Sequence, residues 1–262
     1  MKLELISKGI STAKYRTPLL FVHGAWHGAW CWDEGFLDYF AERGFASHAL
    51  SLRGHGASEG RERLRWHSVG DYVQDVAQIA DGLSSPPILI GHSMGGFVVQ
   101  KYLETRQAPA AVLLASVPPG GVFSTLMRLT ARHPLIILRI NASLSLRPLV
   151  GTPALVREAF FSKSMSEEKV QRYFERMQDE SYRAFLDMLM LDLRKPAKVR
   201  TPLMVMGGES DTIFSRRQIG GTAAASFGVT ARMFPGVAHD MMLGDGWRQV
   251  ADAIIEWVGP RA

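Results

Sequence analysis

Gly91-His92-Ser93-Met94-Gly95-Gly96 is the stretch whose reading decides the fold. It follows the apolar run Pro87-Ile88-Leu89-Ile90 and leads into Phe97-Val98-Val99-Gln100-Lys101-Tyr102-Leu103, whose pattern predicts a helix. A G-x-S-x-G pattern between a strand and a helix has the context that a nucleophile elbow requires. So sharp a turn strains the serine backbone, and its neighbours must be nearly free of side-chain bulk. Gly91 and Gly95 meet that need, and Gly96 lets helix and strand pack closely. The turn lifts the Ser93 hydroxyl clear of the sheet. It also aims the Met94 N–H and the helix N-terminus toward a developing negative charge. Alone, the same letters also fit a glycine-rich turn with an incidental serine. The rest of the chain decides between them.

Upstream, Leu3, Leu5 and Ile10 fit one or two short strands, and Leu19-Leu20-Phe21-Val22 reads as a buried parallel strand. That run ends in His23-Gly24-Ala25-Trp26, a turn of the kind open α/β sheets use to hold ligands. Trp30, Trp32, Phe36, Leu37 and Phe40 predict one helix ended by Gly44, and Ala46 to Leu52 the next strand. Tyr72, Val73, Val76, Ile79 and Ala80 space as one helix face ahead of the elbow strand. Ala111 to Ala115 is another buried strand. The repeated strand–helix rhythm predicts a mostly parallel central sheet flanked by helices.

From about Val117 to Pro196 the rhythm changes to helices alone. Thr152-Pro153 has the form of an N-cap followed by proline. Val170, Tyr173, Phe174 and Met177, then Phe185, Met188 and Leu189, keep helical spacing. Residues 117–196 are therefore expected to form a helical cap on a core made of 1–116 and 197–262. Met127, Met165, Met177, Met188 and Met190 read individually, for the most part, as ordinary helix packing, and as a set they point to an apolar substrate channel. Strands return at Leu203 to Gly207 and Thr230 to Phe234, and Trp247 to Val258 predicts a closing helix.

The chain has 262 residues, 47% hydrophobic and 21% charged, an ordinary globular balance that excludes disorder. Its net charge of +5 comes without a run of five or six like charges, so no nucleic-acid partner is expected. Arg61 to Arg65 reads as a solvated loop. Cys31 is the one cysteine, read as an inert core thiol. The N-terminus lacks a signal-peptide pattern, and Leu135-Ile136-Ile137-Leu138 falls far short of a membrane span. A cytoplasmic protein is expected, without metal or other cofactor, since no H-E-x-x-H or G-x-G-x-x-G pattern is present.

The order Ser93…Asp211…His239 resembles that of the α/β-hydrolase superfamily, a likeness running from about Leu19 to Val258. Gly207-Gly208-Glu209-Ser210-Asp211 occupies the position of the family's acid loop, and Gly236-Val237-Ala238-His239 that of its histidine loop. His23-Gly24 is similar to its oxyanion turn. The resemblance implies a Ser93 nucleophile, His239 as general base and acid, and Asp211 orienting the ring. Glu209 remains a second candidate acid, whereas Asp240 neighbours His239 too closely in sequence to orient it. The backbone N–H groups of Met94 and Ala25 are the expected oxyanion donors, with Trp26 the alternative to Ala25. Trp26 and His92 are candidates for the substrate pocket. His23 and His55 are read as structural, and His27 and His67 as facing solvent or supporting the site.

The stretch His23 to Trp32, HGAWHGAWCW, resembles the opening of the plant methylesterase and hydroxynitrile-lyase group. Arg53-Gly54-His55-Gly56-Ala57-Ser58 is similar instead to bacterial esterases and lipases. The implied function is hydrolysis of a small, apolar acyl or aromatic ester. Lyase, C–C-cleaving, lactone-cleaving and receptor-like members share the same residues.

Overall fold

The computed structural model describes residues 1–195, 199–225 and 229–262. Among the described residues, seven strands form one sheet: β1 (Leu5–Lys8), β2 (Leu19–Val22), β3 (Ser47–Leu50), β4 (Ile88–His92), β5 (Ala111–Leu114), β6 (Leu203–Gly208) and β7 (Arg232–Phe234). Their order is β1-β3-β2-β4-β5-β6-β7, with β1 antiparallel and the others parallel. β2, β4 and β5 are buried at every residue, which explains their continuous apolar runs.

The helices that cover the sheet owe their boundaries to local chemistry. The expected single helix over Trp30 to Phe40 is two, α1 (Trp30–Asp33) and α2 (Phe36–Ala41). Gly35 between them has φ 110°, a conformation no continuous helix holds. α3 (Val69–Gly82) begins with a capping box in which Ser68 and Asp71 satisfy each other's backbone N–H. α4 (Met94–Tyr102) starts directly at Ser93, and nearly all of it is buried.

Between β5 and β6 the described chain is helical: α5 (Phe123–Arg132), α6 (Pro134–Ser143), α7 (Pro153–Phe160), α8 (Glu167–Arg176) and α9 (Tyr182–Leu186). Thr152 caps α7 as its sequence predicts, accepting from Leu155 N–H. The spacing that ran from Val170 to Leu189 does not make one helix. Ser181 starts α9 afresh by accepting from Ala184 N–H, and Asp187–Leu191 widens into a π-helical turn. The expected boundary at 196/197, with Pro196, lies outside the described residues. α10 (Arg216–Ala224) and α11 (Trp247–Val258) return to the sheet, with Val250, Ile254 and Val258 buried.

Other expectations shift slightly. Leu3 to Ile10 yields one strand, and Arg61–Trp66 is a 3₁₀ helix without a buried residue. Cys31 is a buried, free thiol whose pKa burial pushes well above the ordinary value. No helix among the described residues is long and apolar enough to cross a membrane.

Candidate active site

Three loops at the carboxyl ends of parallel strands converge on Ser93, which follows β4 directly. Ser93 has φ 50° and ψ −115°, a strained conformation for a residue with a side chain. Close packing enforces it. A Cβ on Gly91 would come within 2.6 Å of the Gly95 carbonyl, and one on Gly95 would collide with the Val22 and His23 carbonyls. The turn is pinned from β5, since Ser93 N–H donates to Leu114 O (2.9 Å) and Val117 N–H to Ser93 O (3.1 Å).

The loop after β7 brings His239 Nε2 to 3.0 Å from Ser93 Oγ. On the other side of the ring, Nδ1 lies 2.9 Å from Asp211 Oδ2, in the loop after β6. These contacts fix the neutral tautomer: Nδ1–H donates to the carboxylate and Nε2 accepts the serine O–H. Asp211 is itself held, because Oδ1 accepts from Ile213 N–H (2.7 Å) and Phe214 N–H (3.0 Å). Burial opposes charge on His239, but Asp211 outweighs it and raises the ring pKa above the ordinary histidine value. Phe160 and Phe214 pack against the ring at 5.8 and 5.5 Å and hold its orientation.

The rival acids are elsewhere. Glu209 is partly exposed and pairs with Arg216 at 3.3 Å. Asp240 is buried, and its Oδ2 accepts from His27 Nε2 at 3.1 Å. His27 in turn reaches the Ala25 carbonyl through Nδ1 at 2.7 Å. Asp240 thus ties the histidine loop to the turn after β2. His92 Nε2–H donates to the His239 carbonyl (3.0 Å), which makes His92 a brace under the site. Burial, with His239 beside it, lowers the His92 pKa to about 3, so the ring stays neutral.

The turn after β2 is clamped from both sides. His23 Nδ1–H donates to Gly24 O (2.8 Å) and Nε2 accepts from Leu52 N–H (3.0 Å). Trp26, strained at φ 66°, accepts from Gln178 N–H (3.0 Å) and directs its own N–H at Glu180 Oε2 (3.4 Å). Glu180 is buried and also bonds His55 Nε2 (3.0 Å) and Tyr72 OH (2.8 Å). Burial opposes its charge, but His55 holds its pKa below the usual carboxylate range. Glu180 was not legible from sequence, because Asp179-Glu180-Ser181 reads as an ordinary polar interhelical turn.

A cleft of about 1010 Å³, counted to its open mouth, lies above Ser93. Ala25, Trp26 and Met94 line it beside Ser93 and His239, under Leu126, Leu129, Ile137, Ile140, Phe185 and Met188. One expectation is overturned and two are narrowed. His92 is sealed beneath the cleft rather than lining it, because its ring is wedged between His239 and Asp240. Of the five methionines named, Met188 alone lines the cleft, while Met165 and Met177 are core and Met127 and Met190 are exposed. Of the two readings open for His27 and His67, the solvent-facing one fails, since both are buried and hydrogen-bonded, and His27 supports the turn after β2. His92, His239 and Asp240 each bring a potential metal ligand atom within 4.8 Å of the others. Both His239 nitrogens are already engaged, so an ion using that ring would break a contact to Ser93 or Asp211.

A family model described as "Alpha/beta hydrolase family" matches residues 19–253, and the chain belongs to that family. Methyl jasmonate esterase 1 of Vitis vinifera is 31% identical over 115 residues, 42% of this chain and 43% of that protein. The chain thus matches less than half the length of that relative. Monoacylglycerol lipase of Mycolicibacterium smegmatis is 23% identical over 235 residues, 84% of this chain and 80% of that one. Among solved structures, a monoacylglycerol lipase of Paleococcus ferrophilus superposes with TM-score 0.74 at 23% identity over all of both chains. A bromoperoxidase of Bacillus anthracis gives 0.73 at 16% identity, covering 98% of this chain and 95% of that one. These neighbours share the fold.

Proposed function

We propose that the protein is a serine hydrolase that cleaves carboxylic esters through an acyl-enzyme on Ser93. The observation that carries this reading is the continuous chain from Ser93 Oγ to His239 to Asp211, at 3.0 and 2.9 Å. Ser93 attacks the ester carbonyl while His239 Nε2 takes its proton, and the C–O bond of the leaving group breaks as His239 returns that proton to it. Asp211 stabilises the imidazolium formed between the two transfers. Water, activated by the same ring, then hydrolyses the acyl-enzyme.

Met94 and Ala25 N–H groups are assigned to the oxyanion. The direction of Trp26 N–H toward Glu180 favours Ala25 over Trp26. Losing one such donor typically costs about 3 kcal/mol of transition-state stabilisation. Residues 117–196 act as the cap that supplies the apolar wall, on a core of 1–116 and 197–262. The proposal includes a small, apolar acyl or aromatic ester as substrate and a cytoplasmic site of action.

The test is rapid mixing with p-nitrophenyl esters of increasing acyl length. A nitrophenolate burst stoichiometric with enzyme is expected where deacylation limits turnover, together with loss of both burst and turnover in Ser93→Ala. Folded wild type that turns over no ester of the series would contradict the reading.

A further inference from the structure

The outer face of the helices over the cleft is apolar and exposed. On α5, Phe123 and Met127 are 55% and 53% exposed, one helical turn apart; on α6, Leu135 and Leu138 are 68% and 66% exposed. The opposite sides of these two helices, through Leu126, Leu129, Ile137 and Ile140, line the cleft. Met190 and Leu191, also exposed, continue the surface from the π-helical turn whose Met188 and Leu189 line the same cleft. Val122 N–H donates to Met188 O at 3.0 Å, which joins the start of α5 to that turn. Six large apolar side chains therefore surround the cleft's cover on its solvent side, a surface that calls for a partner.

The charge on these helices is of one sign. α5 and α6 carry Arg128, Arg132 and Arg139 and no aspartate or glutamate. Arg132 meets Glu158 of α7, itself two-thirds buried, and the whole chain carries +5. Exposed apolar side chains interleaved with arginines match a membrane interface, where the apolar groups enter the acyl boundary and the guanidinium groups meet lipid phosphates. A second copy of the chain fits poorly, because a two-fold pairing through this face would set arginine against arginine.

We propose that the α5–α6 face docks the protein on an anionic phospholipid surface, which sets the helices that cover the cleft against the lipid. Docking does not depend on Ser93 chemistry. Its consequence, that ester substrate enters from the lipid phase, rests on the function proposed above.

The experiment is co-sedimentation with vesicles of phosphatidylcholine alone or mixed with phosphatidylglycerol. It compares wild type, Leu135→Ser/Leu138→Ser and Arg139→Glu, each also made in Ser93→Ala so that docking is read without turnover. Wild type is expected to bind the mixed vesicles more tightly than the neutral ones, with added salt weakening the difference. The double serine variant should bind at least about tenfold more weakly, and Arg139→Glu should lose the preference for anionic lipid. None of these three side chains lines the cleft, so thermal unfolding and the rate on a water-soluble short-chain ester should stay at wild-type values. Equal binding by wild type and the serine variant, no binding by wild type, or no preference for anionic vesicles would overturn the proposal. So would a concentration-dependent dimer that the serine variant abolishes.

Discussion

The carboxyl end of the sheet and the outer helices that cover it handle polar groups in opposite ways. At the sheet end, His23, His27, His55, His92 and His239 are buried with Asp240 and Glu180, and the Asp211 side chain is buried with them. Each histidine has a named hydrogen-bond partner. On α5 and α6 no carboxylate is present and large apolar side chains face outward. Buried charge is tolerated only when paired, so the sheet end is locked into one geometry. The cover has no such constraint and offers area instead of directed bonds. Substitutions at the first should change rates, and those on the outer face of the second should change where the protein resides.

Asp211→Asn tests that contrast hardest. Loss of the charge that holds the His239 tautomer should lower ester kcat by about 10⁴-fold. Glu209→Gln, at an exposed pair, should change it by less than about twofold. Steady-state kinetics on one soluble ester decides between them, and the reverse pattern would move the acid role to Glu209.

Glu180→Leu breaks the buried pair with His55 and strands the Tyr72 hydroxyl. A cost of about 3–5 kcal/mol in unfolding free energy is expected from urea denaturation. A stability loss below about 1 kcal/mol would mean that the Glu180 network is dispensable.

The pH profile separates the two carboxylates near His239. The ring must be neutral to take the serine proton, so kcat/KM should fall as pH drops through its pKa. The folded value lies above the ordinary 6.5, and the largest cause after burial is Asp211, with Asp240 a smaller contributor. Both substitutions remove a charge that raises the pKa, so both should move the midpoint to lower pH. Asp211→Asn should move it more than Asp240→Asn. Asp240→Asn should also lower kcat by about tenfold at high pH, because His27 then holds the Ala25 carbonyl less firmly. An unchanged midpoint in both variants would contradict the electrostatic assignment.

Much of this was legible in the chain. Gly91 to Gly96, Leu19 to Val22 and Ala111 to Ala115 announce themselves because a turn without room for Cβ and a strand buried on both faces leave few residue choices. Ser93, Asp211 and His239 were legible through the resemblance to the family's order of loops, and the structure brings the three together. What stayed hidden depended on contacts distant in sequence. His27 and Asp240 meet across 213 positions and Glu180 and His55 across 125, and neither pairing has a local signature. The helical period identified α8 and α9 but not the break between them, since a polar turn capped by Ser181 preserves the spacing. Nor could spacing tell which side of α5 faces the cleft, because apolar residues occupy both sides.

Covalent labelling with a fluorophosphonate, mapped by peptide mass spectrometry, tests the central claim most directly. The account predicts a single adduct on Ser93 in wild type, loss of labelling in Ser93→Ala and strongly slowed labelling in Asp211→Asn. Folded wild type that fails to react, or an adduct mapped to another residue, would contradict it.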